Sequence, residues 1–200
     1  PMSDQLLFDW HSMLMAGRRD LNDVGRYRTH SDPMQIVSGA LHAPRVHYEA
    51  PPSDAVPQEM RSFIAWFNET PPEGTKPLPA ITRAGIAHIW FESIHPFEDG
   101  NGRIGRAVAE KALAQTIEAP TLTALAETIH RHRKEYYAQL QRASQSNRID
   151  DWLSWFADIV LEAQERTLTR IRFLIEKTRL FDRLSDQINE RQEKALIRMF

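Results

Sequence analysis

The sequence predicts an all-α protein that carries one small β-hairpin, and three observations support that expectation. Apolar residues recur three and four apart through most of the chain, alternation with period two is confined to residues 35–49, and most of the twelve prolines fall between the helical stretches. A length of 200 residues with 42% hydrophobic content suffices for one sizeable core. Residues 1–165 are expected to form one domain, and residues 166–200 a helical extension leading toward a further domain.

The first helix is expected from Gln5 to Ala16, where Leu6, Leu7, Trp10, Met13 and Leu14 form an apolar stripe. From Asn22 to Pro52 that periodicity lapses. The string Gly25-Arg26-Tyr27-Arg28-Thr29 leads into two extended pieces, Gln35 to Ser38 and Arg45 to Glu49, with Gly39 to Pro44 as the turn. Ser53 is placed to cap a helix that runs to Asn68 and buries Met60, Phe63, Ile64, Trp66 and Phe67. After the turn-rich stretch from Thr70 to Pro79, apolar residues cover most of the circumference from Ala80 to Ile94, which marks a buried central helix. Another helix is expected from about Gly102 to Thr116, and an interrupted one from Thr121 to Ser144. Asp150 and Asp151 cap a long helix in which Trp152, Phe156, Ile159, Val160 and Ala163 keep helical spacing, with the pattern continuing past Leu174. Glu190 begins a last one.

Composition excludes several functions. A net charge of −2 provides no basic field for nucleic acid, and no apolar run approaches the roughly 20 residues that a membrane-spanning helix needs. There is no cysteine, so disulfides, thiolate metal sites and cysteine nucleophiles are ruled out; a cytoplasmic location is the default expectation.

The chemistry concentrates in His95-Pro96-Phe97-Glu98-Asp99-Gly100-Asn101-Gly102-Arg103-Ile104-Gly105-Arg106. Two glycines flank Asn101 where loop turns into helix, so backbone N–H groups can approach a ligand with no Cβ between. At a helix N-terminus such a loop forms an anion-binding nest. Arg103 and Arg106, three apart in the first turns, can grip phosphate oxygens with forked guanidinium groups. Asp99 offers a hard oxygen ligand suited to Mg²⁺. His95 closes the buried helix with an imidazole whose unperturbed pKa, about 6.5, suits a general base. Phe97 is the apolar anchor of the loop. His88, His95 and Asp99, at intervals of seven and four, allow a rival reading as a metal hydrolase, without a closed ligand set.

The segment from His95 to Arg106 resembles the signature of the Fic family, His-x-Phe-x-Asp/Glu-Gly-Asn-Gly-Arg-x-x-Arg, at every specified position. The resemblance extends to a Gly-x-Tyr/Phe-Arg string and a hairpin flap before the motif, to the pair Tyr136-Tyr137 after it, and to the Trp-rich helix from Asp151 to Val160. It implies a helical core with a flap beside the active-site loop, and a protein adenylyltransferase that moves AMP from ATP to a Tyr, Thr or Ser hydroxyl of a target protein, with self-modification as an extension. His95 would be the base and Asp99 the Mg²⁺ ligand. Gly100, Asn101 and Gly102 would form the anion hole, with Phe97, Arg103 and Arg106 completing the phosphate site. Tyr136, Tyr137 and Ser144 would line the base and ribose pocket, and the flap residues Val46, His47 and Tyr48 would dock an extended stretch of the target.

Transfer of UMP or phosphocholine, removal of AMP, and a non-catalytic nucleotide-binding module stand as alternatives. The family's phosphotransferase branch carries lysine where this chain has Gly102, which favours AMP transfer. The family's inhibitory glutamate pattern is incomplete here, because Thr128 follows Glu127 where Gly or Asn is required after the Thr123-to-Glu127 spacing. Inhibition is accordingly expected from an antitoxin-like partner or from sequence before Pro1, with Arg106 lacking an acidic partner of its own.

Overall fold

A computed structural model of the chain describes all residues except 41–42, 118–123, 146–147 and 185–186, and leaves aside the side chains of 36–47, 117 and 144. Among the described residues the elements run α1 (Asp4–Leu14), β1 (Gln35–Ala40), β2 (Ala43–Glu49), α2 (Val56–Glu69), α3 (Ala80–Ile94), α4 (Asn101–Ile117), α5 (Leu125–Arg131), α6 (Arg133–Gln145), α7 (Asp150–Leu184) and α8 (Glu190–Met199). The helical fold with one hairpin is as the sequence predicts.

Helix α3 lies at the centre. Nine of its residues are buried, from Arg83 round to Ile94, and it packs on α4, α7 and α2. Its approach to α7 depends on Gly85, where a Cβ would stand 2.9 Å from Leu153 Cδ2 and 3.2 Å from the Phe156 ring. Trp152 then donates its indole N–H to the Gly85 carbonyl at 2.9 Å, so a bulky ring enters the core with its one polar group satisfied. The buried Arg83 guanidinium ties helices together by donating to Phe67 O, Thr70 Oγ1, Ala112 O and Gln115 Oε1. This network makes α3 a fixed support for whatever its C-terminus carries.

Two local expectations are corrected. Ser53 does not cap α2, which begins at Val56 behind an Ala55 that makes no side-chain cap. The Ser53 hydroxyl donates instead to His30 O and accepts from Arg28 Nη1, because the buried guanidinium needs acceptors more than the exposed helix end needs a cap. The hairpin strands extend further toward the turn than expected, and the register shifts after Ile36, so that Ile36 faces Tyr48 while Val37 faces Val46. That arrangement is a bulge at His47, with β2 packed on α6. The interrupted helix expected from Thr121 to Ser144 is divided at His132 into α5 and α6, and its first residues lie outside the described set.

Helix α7 is continuous over 35 residues, but its buried face ends at Ala163; beyond it, Leu168, Phe173, Leu174 and Ile175 are exposed. Helix α8 starts with a capping box between Asn189 and Gln192, and Phe200 sets its ring against Phe173 and Phe181.

Candidate functional site

Helix α3 ends at Ile94, and His95 follows in the left-handed region at φ 50°, ψ 59°. Among the described residues it is the one non-glycine with positive φ, a conformation that costs about 1–2 kcal/mol and persists only when its surroundings impose it. Arg28 imposes it. Its Nε donates to His95 O at 2.8 Å, its Nη2 to Pro51 O and Ile94 O, and its backbone N–H to Pro96 O at 2.9 Å.

The His95 ring is 16% exposed, and its Nδ1 lies 3.3 Å from the Glu92 carbonyl oxygen. A carbonyl accepts only from N–H, so Nδ1 carries the proton and Nε2 presents its lone pair. Burial lowers the His95 pKa to about 4, with the Arg28 charge adding to that effect while the Glu92 carbonyl and Asp99 oppose it. The imidazole is therefore neutral near pH 7 and can accept a proton.

The loop after His95 is held by groups from the N-terminal third of the chain. Phe97 is wholly buried and stacks on His11, with ring centroids 4.1 Å apart at 7°. His11 accepts the Gly25 N–H at Nδ1, which leaves Nε2–H to donate to Asp99 O at 3.1 Å. The Glu98 carboxylate takes the N–H groups of Asn22 and Asp23. Asn101 is buried, and its amide closes a pair with the Phe97 backbone, accepting from N–H at 2.8 Å and donating to the carbonyl at 2.7 Å. Phe97 and the Asn101 side chain thus hold the loop in shape.

Gly100 turns the chain at φ 83°, where a Cβ would also collide with Met15 Cε. The hydrogen-bond ladder of α4 begins with Arg103 and Ile104 donating to Gly100 O. The N–H groups of Asn101 and Gly102 precede it, so the helix N-terminus presents unladdered donors, and the dipole adds positive potential there. Arg103 is half-exposed beside this nest, 3.7 Å from Asp99. The Nη1 of Arg106 lies 3.4 Å from where a Gly102 Cβ would stand. A neutral base next to an anion nest flanked by two arginines is an arrangement that can take a proton while holding phosphates.

Asp99 is partly exposed; its Oδ1 accepts the Gly100 N–H at 2.6 Å and its Oδ2 accepts from Arg18 at 2.8 Å. Burial works against its ionisation, but Arg18, the Gly100 N–H and Arg103 outweigh it and hold the carboxyl below the usual range. A single accessible hard carboxylate at the rim of a phosphate nest fits Mg²⁺, which binds through one or two carboxylates plus phosphates and water. Among the described residues no three His, Cys, Asp or Glu side chains gather as a metal cage. The rival set His88, His95 and Asp99 is not assembled, because His88 is buried, stacked on Trp152 and bonded to Tyr136.

The remaining expected residues divide. Tyr136 is a core residue: its ring lies against Trp152 and Trp155, its hydroxyl meets His88 Nε2 at 3.1 Å, and burial pushes its pKa well up. Tyr137 is half-buried, with Arg133 over its ring. Tyr48 is half-buried on β2, while the side chains of Val46, His47 and Ser144 lie outside the described residues. Glu127 pairs with Arg166 on α7, and Thr123 lies outside the described residues. Arg106 makes no ion pair among the described residues, yet it has an acidic neighbour, since its charge acts on the buried Glu92 carboxyl. Arg18, Arg28, His11 and Glu92 are site residues that the sequence did not single out. Only Arg28 carried a signal, its place in the Gly25–Thr29 string.

A sequence model described as the Fic/DOC family matches residues 1–113. The chain is 30% identical over 130 residues to the protein adenylyltransferase fic-1 of Caenorhabditis elegans, covering 65% of this chain and 22% of that protein. It is 27% identical over 146 residues to the protein adenylyltransferase Fic of Nematostella vectensis, covering 73% of this chain and 29% of that one. Among solved structures, a Fic family protein from Desulfovibrio desulfuricans G20 matches with a TM-score of 0.71 at 26% identity, over 84% of this chain and 47% of that one. The chain thus spans less than a third of the length of these two curated relatives.

Proposed function

The chain belongs to the Fic/DOC family, and from that membership we propose that it is a protein adenylyltransferase using ATP. The single observation that carries this reading is the neutral His95 imidazole, with its proton on Nδ1 and Nε2 free, beside the nest of Gly100 to Gly102. Nε2 takes the proton of a target hydroxyl. The hydroxyl oxygen then bonds to the α-phosphorus in line, the bond from the α-phosphorus to the bridging oxygen breaks, and pyrophosphate leaves. The N–H groups at the start of α4 and the guanidinium groups of Arg103 and Arg106 hold the phosphates and take up charge as it develops.

Asp99 would hold Mg²⁺, which when bound neutralises charge on the leaving pyrophosphate. For that, Arg18 must release one oxygen of the carboxylate. The hairpin edge is the proposed docking strand for an extended stretch of the target, as main-chain pairing would place the hydroxyl in register. Tyr137, half-buried on α6, is the remaining candidate for a base contact among the described side chains of that helix.

The test is incubation of the protein with Mg²⁺ and ATP labelled at the α- or γ-phosphate, read by intact-mass spectrometry of the protein and of added protein targets. Label retained from the α position and absent from the γ position supports AMP transfer. Retention of the γ label would mean phosphotransfer, and a preference for UTP or a choline nucleotide would move the assignment to those alternatives.

A further inference from the structure

Glu92 is a buried carboxyl that the chemistry above does not use. It stands on the last turn of α3, 3% exposed. Its backbone carbonyl accepts from His95 Nδ1, and its side-chain Oε2 lies 3.8 Å from the same nitrogen. The other oxygen, Oε1, is buried without a hydrogen-bond partner among the described residues and faces the first turns of α4. A Cβ at Gly105 would stand 2.7 Å from it, so Gly105 is small because this carboxyl occupies the space beside it.

An unpartnered buried carboxyl oxygen lowers stability by about 1–3 kcal/mol, so packing alone does not explain glutamate here. Position does. Both the backbone and the side chain of Glu92 face the proton-bearing side of His95, opposite the nitrogen that would accept the hydroxyl proton. We propose that Glu92 is a positioning residue acting through His95: its backbone carbonyl orients the ring by the Nδ1–H, and its carboxyl, once ionised, places negative charge behind the ring as Nε2 becomes protonated. The proposal rests on the reading of His95 as the base.

The groups facing this pair set its titration. His88 from α3, Arg106 from α4 and Tyr136 from α6 surround Glu92, while Arg28 and Asp99 act on His95. Burial raises the Glu92 pKa to about 7, and the Arg106 charge offsets that shift only in part. The Glu92 Oε2 lies 3.8 Å from His95 Nδ1, close enough for the ring resonances to report ionisation of the carboxyl.

The experiment compares wild type, Glu92→Gln, Glu92→Asp and His95→Ala in the full 200-residue chain. The His95 ring resonances are followed by ¹⁵N NMR from pH 4 to 8, and kcat and KM for ATP are measured across the same range. Expected are two steps in the wild-type His95 titration and one in Glu92→Gln, a 10- to 100-fold fall in kcat with KM for ATP within threefold, and an acid limb displaced by a unit or more. Glu92→Asp should keep the two-step response and part of the rate, and it carries the test if Glu92→Gln fails to fold. A single identical step in wild type and Glu92→Gln, or a kcat within twofold, overturns the proposal. So does a loss of kcat matched by equal loss of ATP binding. Full transfer by His95→Ala would instead remove the base assignment. If the wild type shows no transfer, the proposed function fails while the NMR titration still decides whether Glu92 acts on the ring.

Discussion

Arg28 Nε donates to the carbonyl oxygen of His95 at 2.8 Å, joining two residues 67 positions apart through a buried guanidinium. The bond falls on the one described non-glycine residue with left-handed backbone, at the C-cap of the central helix. Arg28→Met keeps much of the volume but leaves the carbonyls of Pro51, Ile94 and His95 without their donor. The expected cost is about 3 kcal/mol or more, since hydrogen bonds to a charged group are among the stronger ones. Thermal denaturation should show the loss, and at a temperature where the variant is folded its transfer should still be impaired. An unchanged melting temperature would mean that the left-handed turn is held by other contacts.

Arg18 and Asp99 form an exposed pair that competes with the proposed metal contact. Arg18→Ala should leave stability close to that of the wild type, as loss of an exposed pair does. It should tighten Mg²⁺-dependent ATP binding, because the carboxylate no longer has to give up a partner. Isothermal titration calorimetry with and without Mg²⁺ reads both arms. Weaker metal-dependent binding would place Arg18 on the phosphates instead.

Gly100→Ala should disrupt the motif loop. The position has φ 83°, and the added methyl meets Met15 Cε. The backbone alone contributes about 1–2 kcal/mol, and the collision adds to it. Chemical denaturation should show that loss together with loss of nucleotide binding; binding equal to wild type would show that the nest tolerates a different turn.

Acid should destabilise the fold, and Glu92 should moderate the effect. His88 and His95 have pKa values lowered by burial to about 4, below the ordinary value of 6.5. Between these values the unfolded chain binds more protons, so stability falls as pH falls from about 6.5 toward 4. Glu92 is raised by burial to about 7 from 4.5, so the folded chain binds the extra proton over that window, and its contribution is lost as pH rises through it. Two histidines outweigh one carboxyl, and stability should therefore rise with pH between about 4.5 and 6.5. In Glu92→Gln the opposing contribution is gone, and denaturation free energies measured over this range should climb more steeply. A shallower slope in the variant would mean that the carboxyl is already ionised in the folded state.

The helical elements were legible because burial of α2, α3 and α7 imposes periodicity that local sequence displays. Ala80 to Ile94 is apolar on nearly all sides, and that pattern suffices to place it at the centre. The motif was legible because its residues are adjacent in the chain, so the glycine-flanked turn, the two arginines and His95 arrive together. Ser53 misled for the opposite reason. Its capping spacing is a local signal, and a guanidinium from residue 28 overrode it.

The sequence by itself determined a helical protein with one hairpin, a glycine-flanked loop after a buried helix, and His95 as the residue at their junction. These follow from short-range spacing, since helix periodicity and a contiguous motif do not depend on distant partners. The tertiary structure alone decided that Arg28 forces the turn at His95, that His11 and Asn101 hold the loop, and that Arg18 occupies Asp99. It also decided that Glu92 lies behind the imidazole and that Tyr136 belongs to the core. Each of these depends on burial and on contacts that the packed core creates, mostly between residues far apart in the chain, and desolvation of a carboxyl or an imidazole exists only once the surrounding helices have closed over it.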